Sequence, residues 1–362
     1  MAIIITDEDA RRHLSMAECI DAMRVCFEDY SKGTAVSLPR SRYTINSGEP
    51  DKSYYANVHV GAAPSFGVAC VRAGTHIIDD TAYESGRRSM KNPEPINWTV
   101  IILYDIKTSE PIAFLHESEI SGMRVGATSA AAVDAIARED ASVLGILGTG
   151  RQSRAHCEAI CNVRSIRQVR VYSPNRDHIK NYLKATATLG IEVVAVGDEK
   201  AVVEGADIVC TATNSTEPVL RGEWLSEGQM VVSIGNSDPT ITRHEVDDET
   251  LTRASKIVIN DWESVHTNKQ IELLDLIESG LVDRDNIYLL GDIFAGKVSV
   301  KSLPDNIVYY KNNTGLAMQF AAAGAVLHRN LMKSGGTNRV VDREWLAADE
   351  YGIGVQAAIE LI

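Results

Sequence analysis

The chain lacks the features that would place it in several classes of protein. No apolar run approaches the ~18–20 residues that span a bilayer. The opening stretch Met1-Ala2-Ile3-Ile4-Ile5-Thr6-Asp7 has no basic region, so a signal peptide is not expected. There is no HExxH motif and no paired CxxC motif. The six cysteines are scattered, with Cys157 and Cys161 one helical turn apart and no further ligands beside them. They read as buried free thiols in a reducing compartment, and no metal site is expected. Internal repeats and low-complexity segments are absent. Positive charge is in deficit: 36 Lys and Arg stand against 49 Asp and Glu, a formal net charge of -13. That balance speaks against nucleic acid or an anionic membrane as partner. The expectation is a cytoplasmic protein that handles a small molecule, and an anionic one would need local basic residues. Asn97, Asn214 and Asn312 begin glycosylation-like triplets, which mean little without a secretion signal.

The 362 residues suit two domains rather than one core. Residues 7–32 carry apolar positions at helical spacing and read as a helix or helix pair. Residues 38–115 read as strand-rich, with β-branched and aromatic runs over 53–60, 66–73, 98–104 and 111–115. Between them, 79–95 is polar, contains Arg87, Arg88, Lys91 and two prolines, and reads as a long functional loop. A helix of small residues is expected over 118–137, able to pack closely between two domains. Short apolar strands then alternate with helical or turn segments: 142–147, 168–172, 192–195, 207–211, 230–234 and 256–260. That alternation implies a parallel sheet with helices on both faces. An alanine-rich helix is expected over 314–333.

The sharpest local signal is Val143-Leu144-Gly145-Ile146-Leu147-Gly148-Thr149-Gly150-Arg151-Gln152-Ser153. It reads as a strand, a G-x-G-x-x-S turn and a helix start, with a second strand at the right distance. Gly148 permits the tight turn, Gly150 lets a pyrophosphate approach the backbone, and Ser153 is small enough for the helix to pack on the strand. The helix N-terminus offers free N–H groups to phosphate. A dinucleotide cofactor, NAD(P)(H), is therefore expected. At the end of the second strand an NAD site usually carries an acidic residue; here stand Ser173, Asn175 and Arg176. These suit a 2′-phosphate and favour NADP(H) over NAD(H), although Arg176 equally reads as a solvated helix-start residue.

Arginines supply the basic residues an anionic substrate requires. Arg40 and Arg42 share one strand face. Arg72 lies inside the apolar run 67–74, where an arginine is costly unless paired or facing a cavity. Arg124 opens the small-residue helix. Guanidinium suits bidentate carboxylate binding, and an ordinary ion pair is the alternative at each position. Asp238 follows the fifth strand of the expected parallel sheet, at the edge where ligands sit. It reads as a general base or as a turn cap before Pro239. His76 and His116 read as structural.

Arg42, Arg72, Met123-Arg124-Val125-Gly126-Ala127, Gly148-Thr149-Gly150-Arg151-Gln152, Gly205-Ala206-Asp207-Ile208-Val209, Thr211-Ala212-Thr213, Gly235 and Thr314-Gly315-Leu316-Ala317-Met318-Gln319, in that order, resemble the ornithine cyclodeaminase/mu-crystallin family. The resemblance implies an α/β fold in which a Rossmann-type parallel-sheet domain (126–314) is inserted in a second α+β substrate-binding and dimerisation domain (1–125 plus 315–362). It implies a homodimer acting on a small amino or imino acid. Arg42, Arg72 and Arg124 would hold the substrate carboxylate, and Asp238 would stand near the family's catalytic aspartate. With Arg72 and Arg124, Asp238 makes up the expected catalytic set. Gly148, Thr149, Gly150, Arg151, Gln152, Ser153, Ser173, Asn175, Arg176, Thr211, Ala212, Thr213 and Gly235 would hold the cofactor. The chain departs from the family pattern. Arg72 stands where lysine is usual, and Val125-Gly126 where Thr-Ala is usual. Ser237 takes the usual aspartate position ahead of Asp238, and Phe320 replaces an aspartate in the last helix. The expected activity is an NAD(P)-dependent amino-acid dehydrogenase or ketimine reductase. A cyclodeaminase with catalytic NAD, or a non-catalytic NADP-dependent binding protein, is the alternative.

Overall fold

Local capping starts the chain. Thr6 and Asp9 satisfy each other's backbone N–H groups, as do Ser15 and Glu18, and these reciprocal boxes open the helices Asp7–His13 and Met16–Ser31. The expected helix pair is thus present. The structure is a computed structural model that describes residues 1–80, 98–237, 243–313 and 315–347. The expected loop at 79–95 lies, from residue 81 onward, outside the described residues, as do Asp238 and Thr314.

Among the described residues the strands form two sheets of eight strands each. In the first, the order is Val340–Val341, Ala2–Ile5, Pro111–His116, Trp98–Asp105, Val68–Asp79, Lys52–Ala63 and Val36–Ser37, with Ser41–Asn46 also paired to Lys52–Ala63. Both ends of the chain therefore meet in one sheet. Alternation decides its faces. Cys70, Ile101, Leu103 and Leu115 point inward, onto the helices Met16–Ser31, Ser118–Ile136 and Ala317–Lys333. Val60, Trp98 and Val100 lie on the opposite face and are exposed.

The second sheet is wholly parallel, in the order Glu192–Ala195, Gln168–Tyr172, Val143–Leu147, Ile208–Thr211, Met230–Ser233, Val308–Lys311, Lys256–Ile259 and Ile287–Leu289. The six expected strands are all present. Val308–Lys311 and Ile287–Leu289 are additions, the first of them inserted between Met230–Ser233 and Lys256–Ile259. The winding reverses direction between Val143–Leu147 and Ile208–Thr211, which opens a crevice at their carboxyl ends. The helix Ser118–Ile136 packs against Arg151–Val163, the helix that follows the glycine turn. At Gly126 an added Cβ would stand 2.7 Å from the Ala155 carbonyl oxygen, so the small residues of this helix are what allow the close approach.

Candidate active site

The crevice opens into a cleft of about 1100 Å³. One wall is the glycine turn. Gly148 has φ 107°, and an added Cβ would strike the Ala212 carbonyl, so glycine is required there for geometry. Gly150 differs: an added Cβ would meet no protein atom within 4 Å, because it would project into open space. Gly150 is also the N-cap of Arg151–Val163 and places no side chain on the first N–H groups of that helix. Ser153 is fully buried and donates to the Gly148 carbonyl at 2.8 Å, so its hydroxyl fastens the turn it was expected to accommodate. Gln152 lines the cleft, with Oε1 buried and without a partner among the described residues. Free helix N–H groups, a backbone open to approach and an orphaned polar atom fit a pyrophosphate.

The facing wall is arginine-rich. In the antiparallel pairs, Arg42 stands opposite Asn57 and His59 opposite Arg72, so these side chains share the inner face of the first sheet. Arg40, two residues before Arg42, lines the cleft with Arg42 and Arg124. Arg124 is buried. It donates to Gln319 Oε1 at 3.0 Å and lies 4.5 Å from the centre of the Phe320 ring. Gln319 is itself fixed, accepting from the Leu316 N–H and donating to Thr128 Oγ1. Burial pushes Arg124 down to about 10 and Arg40 to about 9, neighbouring guanidiniums adding to the effect; both remain cationic near neutrality. The same causes, burial first, hold the His59 ring far below its ordinary value, so it is neutral. Arg72 is paired. It donates to Glu117 Oε1 at 3.1 and 3.2 Å and to Asn57, and lies 5.4 Å from the Phe320 ring centre. Burial, the largest single influence, would raise the Glu117 carboxyl, but Arg72, the Ser121 hydroxyl, Arg124 and Arg151 together outweigh it and hold Glu117 below its ordinary value.

The floor of the cleft depends on Glu245, which the sequence did not single out. Buried to 2% exposure, it accepts from the N–H groups of Thr213 and Gly235, both at 2.5 Å, and from the hydroxyls of Thr211, Thr213 and Ser233. One carboxylate thereby ties together the ends of two neighbouring strands at the crevice. Lys311 bonds the Gly235 carbonyl and pairs with Glu272 at 3.2 Å, both partners buried. A second network joins the two helices: His156 contacts the Gln152 carbonyl at 2.8 Å and Ser129 Oγ at 2.9 Å, and Asn312 reaches Ser129 and the Val125 carbonyl.

Of the expected site residues, Arg42, Arg124, Gly148, Thr149, Gly150, Arg151, Gln152, Ser173, Ala212 and Thr213 line the cleft. Ser153, Thr211 and Gly235 stand behind its surface in the bonds just described. Arg72 is behind the arginine wall. The Asn175 side chain caps the helix Arg176–Thr186, accepting from the N–H groups of Asp177 and His178, and Arg176 is exposed. Asp238 lies outside the described residues; Ser237, before it, lines the cleft. Among the described residues no cluster of potential metal ligands occurs, and no helix is long and apolar enough to cross a membrane.

A parallel sheet with a phosphate-accepting glycine turn, set against an arginine wall from a second sheet, defines a two-sheet dinucleotide-fold protein with a site between the sheets. The chain belongs to the ornithine cyclodeaminase/mu-crystallin family, whose model matches residues 2–335. It is 25% identical over 334 residues to an alanine dehydrogenase of Archaeoglobus fulgidus, covering 91% of this chain and 95% of that enzyme. It is 30% identical over 245 residues to a Delta(1)-pyrroline-2-carboxylate reductase of Bacillus cereus, covering 67% of this chain and 73% of that protein. The solved structure of Thermococcus litoralis Delta(1)-pyrroline-2-carboxylate reductase in complex with NADH and L-proline superposes with a TM-score of 0.80 at 26% identity, covering 93% of this chain and 99% of that one.

Proposed function

We propose that this protein is a nicotinamide-dependent oxidoreductase acting on the carbon–nitrogen bond of a small amino or imino acid. The observation that carries the reading is the single cleft with a dinucleotide-type turn on one wall and Arg42 and Arg124 on the other. The relatives, an alanine dehydrogenase and pyrroline-2-carboxylate reductases, act on the same bond by their names. The dinucleotide, when bound, accepts or supplies the hydride at the substrate's α-carbon. The chain's own contribution is orientation: Arg124, held rigid by Gln319 and Phe320, and Arg42 clamp the carboxylate and fix the α-carbon against the glycine-turn wall. Arg72 acts behind them, its charge spent on Glu117, and serves to hold that part of the wall in place. Asp238, next in sequence to the cleft-lining Ser237, is proposed as the group that takes the proton from the amine, or returns it to the imine, directly or through a water.

The proposed domains are 1–125 with 315–362 for substrate binding and dimerisation and 126–314 for the nucleotide, a division supported by the presence of two separate sheets. The exposed apolar side chains of the first sheet's outer face, Val60, Trp98 and Val100, support a homodimer formed through that face. For the cofactor we propose NADP(H) over NAD(H), because Ser173 stands where a carboxylate would contact the ribose. Glu199 borders the same cleft and supports the opposite preference. Fluorescence titration with both reduced cofactors tests this: tighter binding of NADPH, reversed by Ser173→Asp, is expected, and equal or tighter NADH binding contradicts it. The activity itself is tested by following cofactor oxidation with imino acids. Cofactor binding without oxidation, but with ammonia released from diamino acids, would favour a cyclodeaminase.

A further inference from the structure

The arginine wall holds more positive charge than one carboxylate can balance. Arg40, Arg42 and Arg124 all line the cleft, and none has a carboxylate partner within ion-pair distance among the described residues. The Nε atoms of all three are buried without a partner. Arg42 is bonded by Nη2 to a neutral group, Asn268, at 2.9 Å, and Arg124 to the neutral Gln319. Phe320 presents an aromatic ring to Arg124 and Arg72, not an acid. Asp261 borders Arg40 in a small recess beside the cleft, but its oxygens are occupied by the Tyr30 hydroxyl at 3.1 Å and by the Ser264 N–H and hydroxyl at 2.7 Å. Glu263, also in that recess, is exposed. Glu117, a buried carboxylate beside the cluster, is bonded to Arg72 and acts on Arg124 only from beyond ion-pair distance.

With the dinucleotide's phosphates assigned to the opposite wall, three cationic groups on this one against a single α-carboxylate leave an excess of two positive charges. Uncompensated charge at a half-buried wall is costly, and it is relieved by an anion that brings more than one negative group. The electrostatics agree: after burial, what depresses Arg40 is the repulsion from Arg42, Arg72 and Arg124. The free protein thus holds its guanidiniums against mutual repulsion.

We propose that the substrate is a dicarboxylic 2-amino or 2-imino acid, with Arg42 and Arg124 on the α-carboxylate and Arg40 on the second. This rests on the oxidoreductase reading above and adds the substrate class to it. In the reductive direction two electrons and one hydrogen arrive as hydride from the reduced nicotinamide, which is oxidised, and one proton is added at nitrogen. The C=N bond becomes CH–NH, and neither carboxylate takes part. Arg40 is therefore a specificity residue.

The experiment compares kcat/KM of the full-length protein for paired probes differing by one carboxylate: oxaloacetate against pyruvate and 2-oxoglutarate against 2-oxobutyrate, each with ammonium and reduced cofactor. The reverse direction uses L-aspartate and L-glutamate against L-alanine and L-2-aminobutyrate. A site built to bond a polar group rejects an analogue lacking it, so a preference of at least about 100-fold for the dicarboxylic member of a pair is expected. In Arg40→Gln that preference should fall below about tenfold, with Arg40→Lys intermediate because a point charge replaces the planar fork. Equal or faster turnover of monocarboxylic probes by the unmodified protein overturns the inference and leaves the oxidoreductase reading standing. Turnover of none of the probes, nor of cyclic imino acids, overturns that reading and the inference with it. If Arg40→Gln instead weakens dinucleotide binding in a fluorescence titration and leaves the preference intact, Arg40 serves the cofactor and the inference is wrong. The comparison in the unmodified protein holds whether or not the variants fold.

Discussion

Glu245→Ala is the perturbation whose size follows most directly from the structure. The carboxylate accepts from five donors on two strand ends. Three of these are hydroxyls, which can rotate to other acceptors. The N–H groups of Thr213 and Gly235 cannot, and each buried N–H left unpaired costs ~1–3 kcal/mol. The expected loss is therefore about 4 kcal/mol, which in a chain of this size lowers the melting temperature by about 5 °C. The consequence for function is separate. Thr213 lines the cleft and Gly235 anchors the adjacent strand end, so releasing both loosens the floor on which the cofactor lies. Thermal unfolding followed by circular dichroism gives the first quantity, and fluorescence titration with reduced cofactor gives the second. The variant should bind cofactor more than about tenfold more weakly, roughly 1.4 kcal/mol. A melting temperature within about 2 °C of the unmodified protein, with unchanged cofactor affinity, would refute the claim that Glu245 organises this edge of the sheet.

Arg124→Ala should abolish turnover while cofactor binding survives, because Arg124 faces the substrate side of the cleft; steady-state rates and a cofactor titration check both halves. Gly150→Ala should fold normally, since its Cβ meets no protein atom, yet bind cofactor weakly, whereas Gly148→Ala should lower the melting temperature through its positive φ and its clash with Ala212. Burial lowers His156 from 6.5 to about 4, so between these values the folded protein binds fewer protons than the unfolded chain and stability falls as pH drops. The stability advantage of the unmodified protein over His156→Gln should shrink by about 2 kcal/mol from pH 7 to pH 5, at ~1.4 kcal/mol per unit below the unfolded value; a constant difference in denaturant titrations at the two pH values would contradict this.

What the sequence made legible was local. The strand Val143–Leu147, its glycine turn and the following helix depend on residues within about two helical turns, and they stand where expected. The small-residue helix was readable because side-chain size alone decides how near Arg151–Val163 can come. Val308–Lys311 was not, because its place in mid-sheet depends on partners around 230 and 256, and nothing in the four residues Val-Tyr-Tyr-Lys encodes that pairing. The site divides in the same way. Arginine inside the apolar run 67–74 signalled either a pair or a cavity, and Arg72 realises the pair, while Arg42, on a polar strand, lines the cleft. Asn175 looked like a phosphate ligand, but an asparagine just before a helix also satisfies N–H groups at its start, and here it does so. Glu245 gave no local signal, since its partners lie ten or more residues away along the chain. A glutamate in a polar segment looks the same whether solvated or buried.

The central claim is that this cleft performs redox chemistry at a carbon–nitrogen bond, and the most direct measurement is nicotinamide absorbance on mixing the purified protein with NADPH or NADH and a panel of cyclic and open-chain imino acids, mono- and dicarboxylic. The account predicts stoichiometric oxidation of the cofactor with at least one of them, lost in Arg124→Ala. No oxidation with any member of the panel, in protein shown by titration to bind the cofactor, would contradict it.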